Sequence, residues 1–154
     1  MMMNKSIIRI FVLLWVAVAA ACTNNGDIGP YYGTWTLDRM TLDGVMDEDY
    51  GRNISWAFQN NVLRITVVSV HHDEDAHFAT WKETGSGHVL QVNFQNSADG
   101  IPPGEAGYAP PPQLHLPKNR IIDFDIVKMT GSKMHLRYVT DDGTTVDYYF
   151  THRN

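Results

Sequence analysis

The sequence predicts an all-β domain, an eight-stranded antiparallel up-and-down barrel, and three observations carry that expectation. Apolar and polar residues alternate with a period of two in one segment after another between Gly33 and Thr151, the spacing of half-buried strands. Turn signals rich in Gly, Asn and Asp separate those segments. No stretch after residue 30 keeps a 3.6-residue period over three turns. The chain has 154 residues, 44% of them hydrophobic and 19% charged. That is enough for one core without a disulfide framework and too apolar for wholesale disorder.

The first element stands outside the barrel. Met1 to Arg9 carries Lys5 and Arg9 and no acid, and Ile10 to Ala21 follows without a polar side chain. A spanning helix needs roughly 20 apolar residues, so this shorter run has the length and flanks of an export signal. Ala19-Ala20-Ala21 precedes Cys22, the only cysteine. Residues 1–21 thus resemble a bacterial lipoprotein signal, with Ala19 where Leu is usual. The resemblance implies that Cys22 becomes a lipidated N-terminus, since an unpaired thiol is out of place in an oxidising compartment. Several acyl chains anchor stably where one does not. Ordinary cleavage after Ala21 is the other reading. Residues 22–30, beginning Cys22-Thr23-Asn24-Asn25-Gly26-Asp27, suit a short polar tether. They lack an acidic cluster after the cysteine, which points to an outer-membrane position facing the periplasm.

The barrel domain is expected over 31–154. Gly33 to Met40 sets Trp35 and Leu37 against Thr34, Thr36 and Asp38. Asn53 to Phe58 offers Ile54, Trp56 and Phe58, and Gln59-Asn60-Asn61 turns into Val62 to Val70 with Leu63, Ile65 and Val67 on one face. Ala76 to Thr84 has an open parity, because Phe78 and Trp81 fall on opposite faces. Gly85-Ser86-Gly87 leads to His88 to Phe94, with Leu90, Val92 and Phe94 alternating. Arg120 to Met129 carries Ile122, Phe124 and Ile126. Thr130-Gly131-Ser132 turns into Lys133 to Thr140, with Met134, Leu136 and Tyr138. Asp141-Asp142-Gly143 is a strong hairpin signal before Thr144 to Thr151, which holds Val146, Tyr148 and Phe150. Eight such strands suit a closed barrel, with a flatter β-sandwich as the competitor. A membrane-spanning barrel is disfavoured, since Arg64, Asp123, Asp125, Arg137 and Asp147 oppose the apolar sets.

Gln95 to Asn119 breaks the rhythm and holds all but one of the seven prolines. Loops beyond about 12–15 residues are either functional lids or loose segments. Ile101, Tyr108, Leu114 and Leu116 would let this one lie on a surface, and a solvated insertion is the other reading.

Gly33-Thr34-Trp35 on the first strand resembles the lipocalin signature, and residues 31–153 are similar in layout to the lipocalin-like lipoproteins of Bacteroidota. The resemblance implies a ligand-binding barrel with Trp35 plugging one end. It also implies an Arg packed on that Trp, for which Arg137 and Arg153 are the candidates. The helix that follows the barrel in lipocalins is not expected here, because the chain stops at Asn154.

Chemistry-bearing patterns are sparse. There is no Gly-x-Ser-x-Gly elbow and no phosphate-cradling loop before a helix. Asp123 with Asp125 and Asp141 with Asp142 suit a polar strand face and a turn. Ser69, Thr80, Lys82 and His88 are isolated candidates for the interior. The expectation is a non-enzyme with no cofactor. His71, His72 and His77, interleaved with Asp73, Glu74 and Asp75, have the donor types for a divalent metal but equally suit a wet turn. With 12 Lys and Arg against 17 Asp and Glu, the net charge of −5 excludes sequence-blind nucleic-acid binding, and one cysteine excludes a Cys-rich zinc module. Trp35, Trp56, Phe58, Phe94, Phe124, Tyr138, Tyr148 and Phe150 share the apolar parity. They either fill the barrel or bind a small hydrophobic or amphipathic molecule within it, and the sequence leaves that choice open. A solid-core interaction module docking through the 95–119 loop is the alternative. The expected partners are the membrane, through acyl chains on Cys22, and that small ligand. A Cys22→Ala precursor is expected to lose radiolabelled palmitate and its membrane retention on fractionation; unchanged retention would contradict lipidation.

Overall fold

The computed structural model describes residues 26–96 and 101–153. The export signal and Cys22 lie outside the described residues, as do residues 97–100 of the long connection. Among the described residues nine antiparallel strands follow in order: β1 (Gly33–Leu42), β2 (Val45–Met46), β3 (Ile54–Gln59), β4 (Val62–Val68), β5 (Glu74–Thr84), β6 (Val89–Asn93), β7 (Ile121–Met129), β8 (Lys133–Val139) and β9 (Thr145–Arg153). β2 is a two-residue ribbon folded back on the end of β1. The other eight pair in sequence, and β1 then pairs with β9 from Thr34↔Arg153 to Leu42↔Val146. That last ladder closes the barrel and excludes the open sandwich.

The sequence reading lacked β2, although Asp43-Gly44 carried its signal. Both residues adopt positive φ, 50° and 81°, as a tight hairpin requires. The strand before it also runs past Met40, because a bulge between Leu37 and Arg39 resets the alternation. Trp35 and Leu37 point inward before the bulge and Met40 after it, all 0% exposed. A second bulge, between Ile126 and Lys128, does the same in β7, bringing Ile126 and Met129 both onto the core. An extra residue on one strand bends it and shifts every later side chain by one face.

Rows of inward side chains cross the strands. Trp35 lies opposite Trp56, Trp56 opposite Ile65, and Ile65 opposite His77. Leu37 lies opposite Phe150, and Phe150 opposite Met134. In β5 the open parity resolves in favour of Trp81, buried with His77 and Ala79, while Phe78 faces out. Ser69, Lys82 and His88 are exposed and Thr80 is half-buried on the outward parity, bonded to Asn96. None of the four lies in the core.

One end is closed by local structure. A 3-10 turn over Gly26–Tyr31 delivers Tyr31 to the core, its ring 5.0 Å from Trp81 and 5.4 Å from Phe58. The Trp35 indole N–H donates to the Tyr31 carbonyl at 2.9 Å. Gly33 has φ +105°, and a Cβ there would stand 2.6 Å from His152 Nε2. His152, and not Arg137 or Arg153, packs on Trp35, edge-on at 4.9 Å. Arg153 is exposed at the chain's end.

Arg137 belongs instead to the outer wall. Its Nε and His135 Nε2 both donate to Asp147 Oδ1, at 2.9 and 2.6 Å. Asp147 therefore sits on the outward face, as the alternation required, yet is only 4% exposed. Burial pushes its pKa up, but the hydrogen bonds and charges of Arg137 and His135 outweigh that and hold it below the usual carboxylate range. Beside it Tyr149 carries Arg39 over its ring at 4.2 Å and stacks on His135 at 4.2 Å. A carboxylate whose folded pKa is depressed stabilises the fold above its unfolded value of about 3.9, and that stability fades as pH falls through the folded value. Asp147→Asn is expected to cost about 1.5–3 kcal/mol at pH 7. In urea titrations at stepped pH the gap from the parent should narrow as pH falls below the usual carboxylate range; a gap independent of pH would refute the role.

Candidate functional site at the barrel mouth

The two ends of the barrel differ in kind. The β1–β3 connection, the β4–β5 turn, the long β6–β7 connection and the β8–β9 turn all gather at the end opposite Trp35. Across that mouth lies 101–119, which is tied to the barrel although Glu105, Gln113 and Lys118 stay exposed. Ala109, Leu114 and Leu116 are buried, and the two leucines belong to the core cluster. Near its start, Tyr108 packs on the outward Phe78 at 6.5 Å, and Gly107 lies so near Ala76 that a Cβ would stand 3.1 Å from its carbonyl oxygen. The segment then turns in over the mouth. Prolines lock φ and supply no N–H, so Pro110, Pro111 and Pro112 hold it stiff without adding a stray strand.

Three hydrogen bonds fasten this lid. The His77 Nδ1–H donates to the Ala109 carbonyl at 2.7 Å, and the Tyr148 hydroxyl donates to the Leu114 carbonyl at 2.6 Å, both buried. At the rim His115 Nε2 meets Asp47 Oδ2 at 3.0 Å. Arg120, just past the lid, pairs with Asp141 of the β8–β9 turn at 2.6 Å. Burial drives the Tyr148 pKa far above the ordinary tyrosine value, which keeps its proton available for donation. Burial, then the charge of Asp141, raises that of Tyr138.

Beside Leu116 an open cleft of about 530 Å³ enters the mouth, lined by Leu42, Leu116, Pro117, Tyr138 and Val146 among others. Leu42, Val146 and Tyr138 lie opposite one another on β1, β9 and β8 and form the last inward row before solvent. Of the eight aromatics nominated from sequence, Tyr138 is the one on this accessible space. Trp35, Trp56, Phe58, Phe94, Phe124 and Tyr148 are 0% exposed and Phe150 1%. With so little accessible surface these side chains leave no open lumen among themselves, and several of them touch ring to ring. Trp56 lies 4.9 Å from Phe150 and 5.7 Å from Phe124, and Phe124 lies 5.6 Å from Tyr148. As packed, Trp56, Phe124, Tyr148 and Phe150 form the floor beneath the mouth.

The histidine cluster comes apart. His71 and His72 are exposed at the β4–β5 turn, whereas alternation along β5 turns His77 into the core, its Nε2 3.3 Å from Asp75. Among the described residues no group of three His, Cys, Asp or Glu could hold a metal ion. Sequence reasoning also missed Tyr50, an aromatic among polar loop residues. It is 7% exposed, and its hydroxyl donates to the Leu37 carbonyl at 2.6 Å beside the β1 bulge.

No protein-family model matches the sequence, and no curated protein does. Solved structures do match in fold. A lipocalin-like protein from Bacteroides uniformis superposes with a TM-score of 0.58 at 14% identity, covering 81% of this chain and 100% of that one. An uncharacterized protein from Bacteroides eggerthii gives a TM-score of 0.58 at 16% identity over 80% of this chain and 99% of the other.

Tyr148→Phe would orphan the buried Leu114 carbonyl at a cost of about 1–3 kcal/mol. Amide hydrogen exchange over 106–118 should accelerate while that of β1 and β9 is unchanged; equal protection in both proteins would show that the bond does not secure the lid. The chain folds as a lipocalin-like barrel, closed at its Trp35 end and lidded at the other.

Proposed function

We propose that this is a lipid-anchored cell-envelope binding protein that takes a small hydrophobic or amphipathic molecule at the lidded mouth of its barrel. One observation carries the reading: the two ends are built differently. The Trp35 end is sealed by its own 3-10 turn and core aromatics, whereas a separate segment on three hydrogen bonds covers the mouth. Beside that segment lies an open cleft of about 530 Å³ whose walls join Leu42, Leu116 and Tyr138 to the polar Thr140, Asp141 and Thr144, a size suited to a small amphipathic ligand. Leu42 and Tyr138 would make first contact, and the buried Val146 and the aromatics from Trp56 to Phe150 would back them. Cys22 would hold the barrel at the outer membrane, facing the periplasm.

The filled axis favours a second reading, a solid-core module that docks a protein partner through 101–119. A panel of lipids and hydrophobic dyes titrated against tryptophan fluorescence separates the two. Binding reads out as a saturable change that Tyr138→Ala weakens by about tenfold. A flat response across the panel would refute the first reading and favour the second.

A further inference from the structure

The lid places an apolar side chain and a peptide carbonyl in the mouth together. Leu114 is 0% exposed within the core cluster, and its carbonyl accepts the Tyr148 hydroxyl at 2.6 Å. One branched alkyl group plus one acceptor, held by a buried donor, is the chemistry of a bound small molecule. Its surroundings define what could replace it. Phe124 joins Tyr148 to Trp56 by successive ring contacts of 5.6 and 5.7 Å. The Trp56 indole N–H is buried without an acceptor, as is that of Trp81 at the sealed end, although buried donors are nearly always paired. The Tyr31 and Thr41 hydroxyls are buried and unpaired as well, so every unpaired buried side-chain group among the described residues can donate, and none of them is a carbonyl or carboxylate. None of the buried core residues is a Lys or Arg, and the buried imidazole of His77 already faces the Asp75 carboxylate at 3.3 Å, so a carboxylate brought in would lose its hydration without gaining a free counter-charge.

We infer that Leu114 and its carbonyl occupy the ligand's own seat, and that the molecule which displaces them is neutral and apolar and carries a carbonyl-type acceptor: a ketone, ester or amide. This rests on the binding function proposed above and names its ligand class. The acceptor takes over the Tyr148 hydroxyl, and the apolar part fills the space that Leu114 leaves. Trp56 is the next donor along the axis for a ligand with a second acceptor. Because only the lid-open fraction can bind, loosening the lid raises apparent affinity in proportion to that fraction.

Three probes matched in size test this on the mature chain by calorimetry: naphthalene, 2-acetylnaphthalene and 2-naphthoate. The ketone is expected to bind at least about tenfold tighter than either of the others, with Tyr148→Phe abolishing the preference and Leu114→Ala tightening the ketone by about tenfold. Amide exchange over 106–118 in the unmodified chain should speed up when the ketone is added, a readout that stands even if Leu114→Ala does not fold. Ketone binding without preference, or with a lid equally or better protected, overturns the inference and leaves the binding function standing. If a dye or lipid binds while all three probes fail, the inference alone falls; if nothing in either set binds, both fall.

Discussion

The pairing of β1 with β9 is the constraint on which the molecule depends. An eight-stranded sheet left open would present two edges and a greasy face to solvent. Closing it removes the edges and turns that face into an interior. The seam is held from both sides. Leu37 meets Phe150 within, while Arg39 covers Tyr149 and Asp38 bonds Thr151 without. Asp43, at the hairpin beyond β1, extends it by accepting the Thr145 N–H at 2.8 Å. The bulge between Leu37 and Arg39 sits within this same seam, where the added bend helps a strand curve around a narrow cylinder.

Closure also explains why the two ends diverge. Fully burying a large aromatic contributes several kcal/mol, and Tyr31, Trp35, Phe58 and Trp81 are gathered at the sealed end. The mouth has no such local plug. It borrows Leu114 and Leu116 from a distant segment whose fastening bonds are each worth about 0.5–1.5 kcal/mol net. Regions held by few bonds open at lower free energy than the body of a sheet. A firm cylinder with one weakly fastened end follows from where the apolar mass sits.

The outer wall carries the opposite chemistry. Asp147 lies under Arg137 and His135, so an acid that alternation assigns to solvent is buried and satisfied by its cross-strand neighbours. Charge lies against charge on the outside and ring against ring within. That division is the reverse of a lipid-facing barrel, whose outside must be apolar.

Eight barrel strands, most of their inward residues and the turns between them are legible along the chain, because a period of two and a Gly or Asn at a turn are local properties. Parity in β5 is not, since Phe78 and Trp81 are equally apolar and only the lid, packing Tyr108 on Phe78, explains why a Phe faces out. Tertiary structure alone decided the bulges, the inward turn of His77, the choice of His152 as the partner of Trp35 and the burial of Asp147. Each depends on which strand lies alongside. The seat of Leu114 was beyond sequence for the same reason: its hydrogen-bond partner, Tyr148, lies 34 residues away, and only the closed barrel brings the two together.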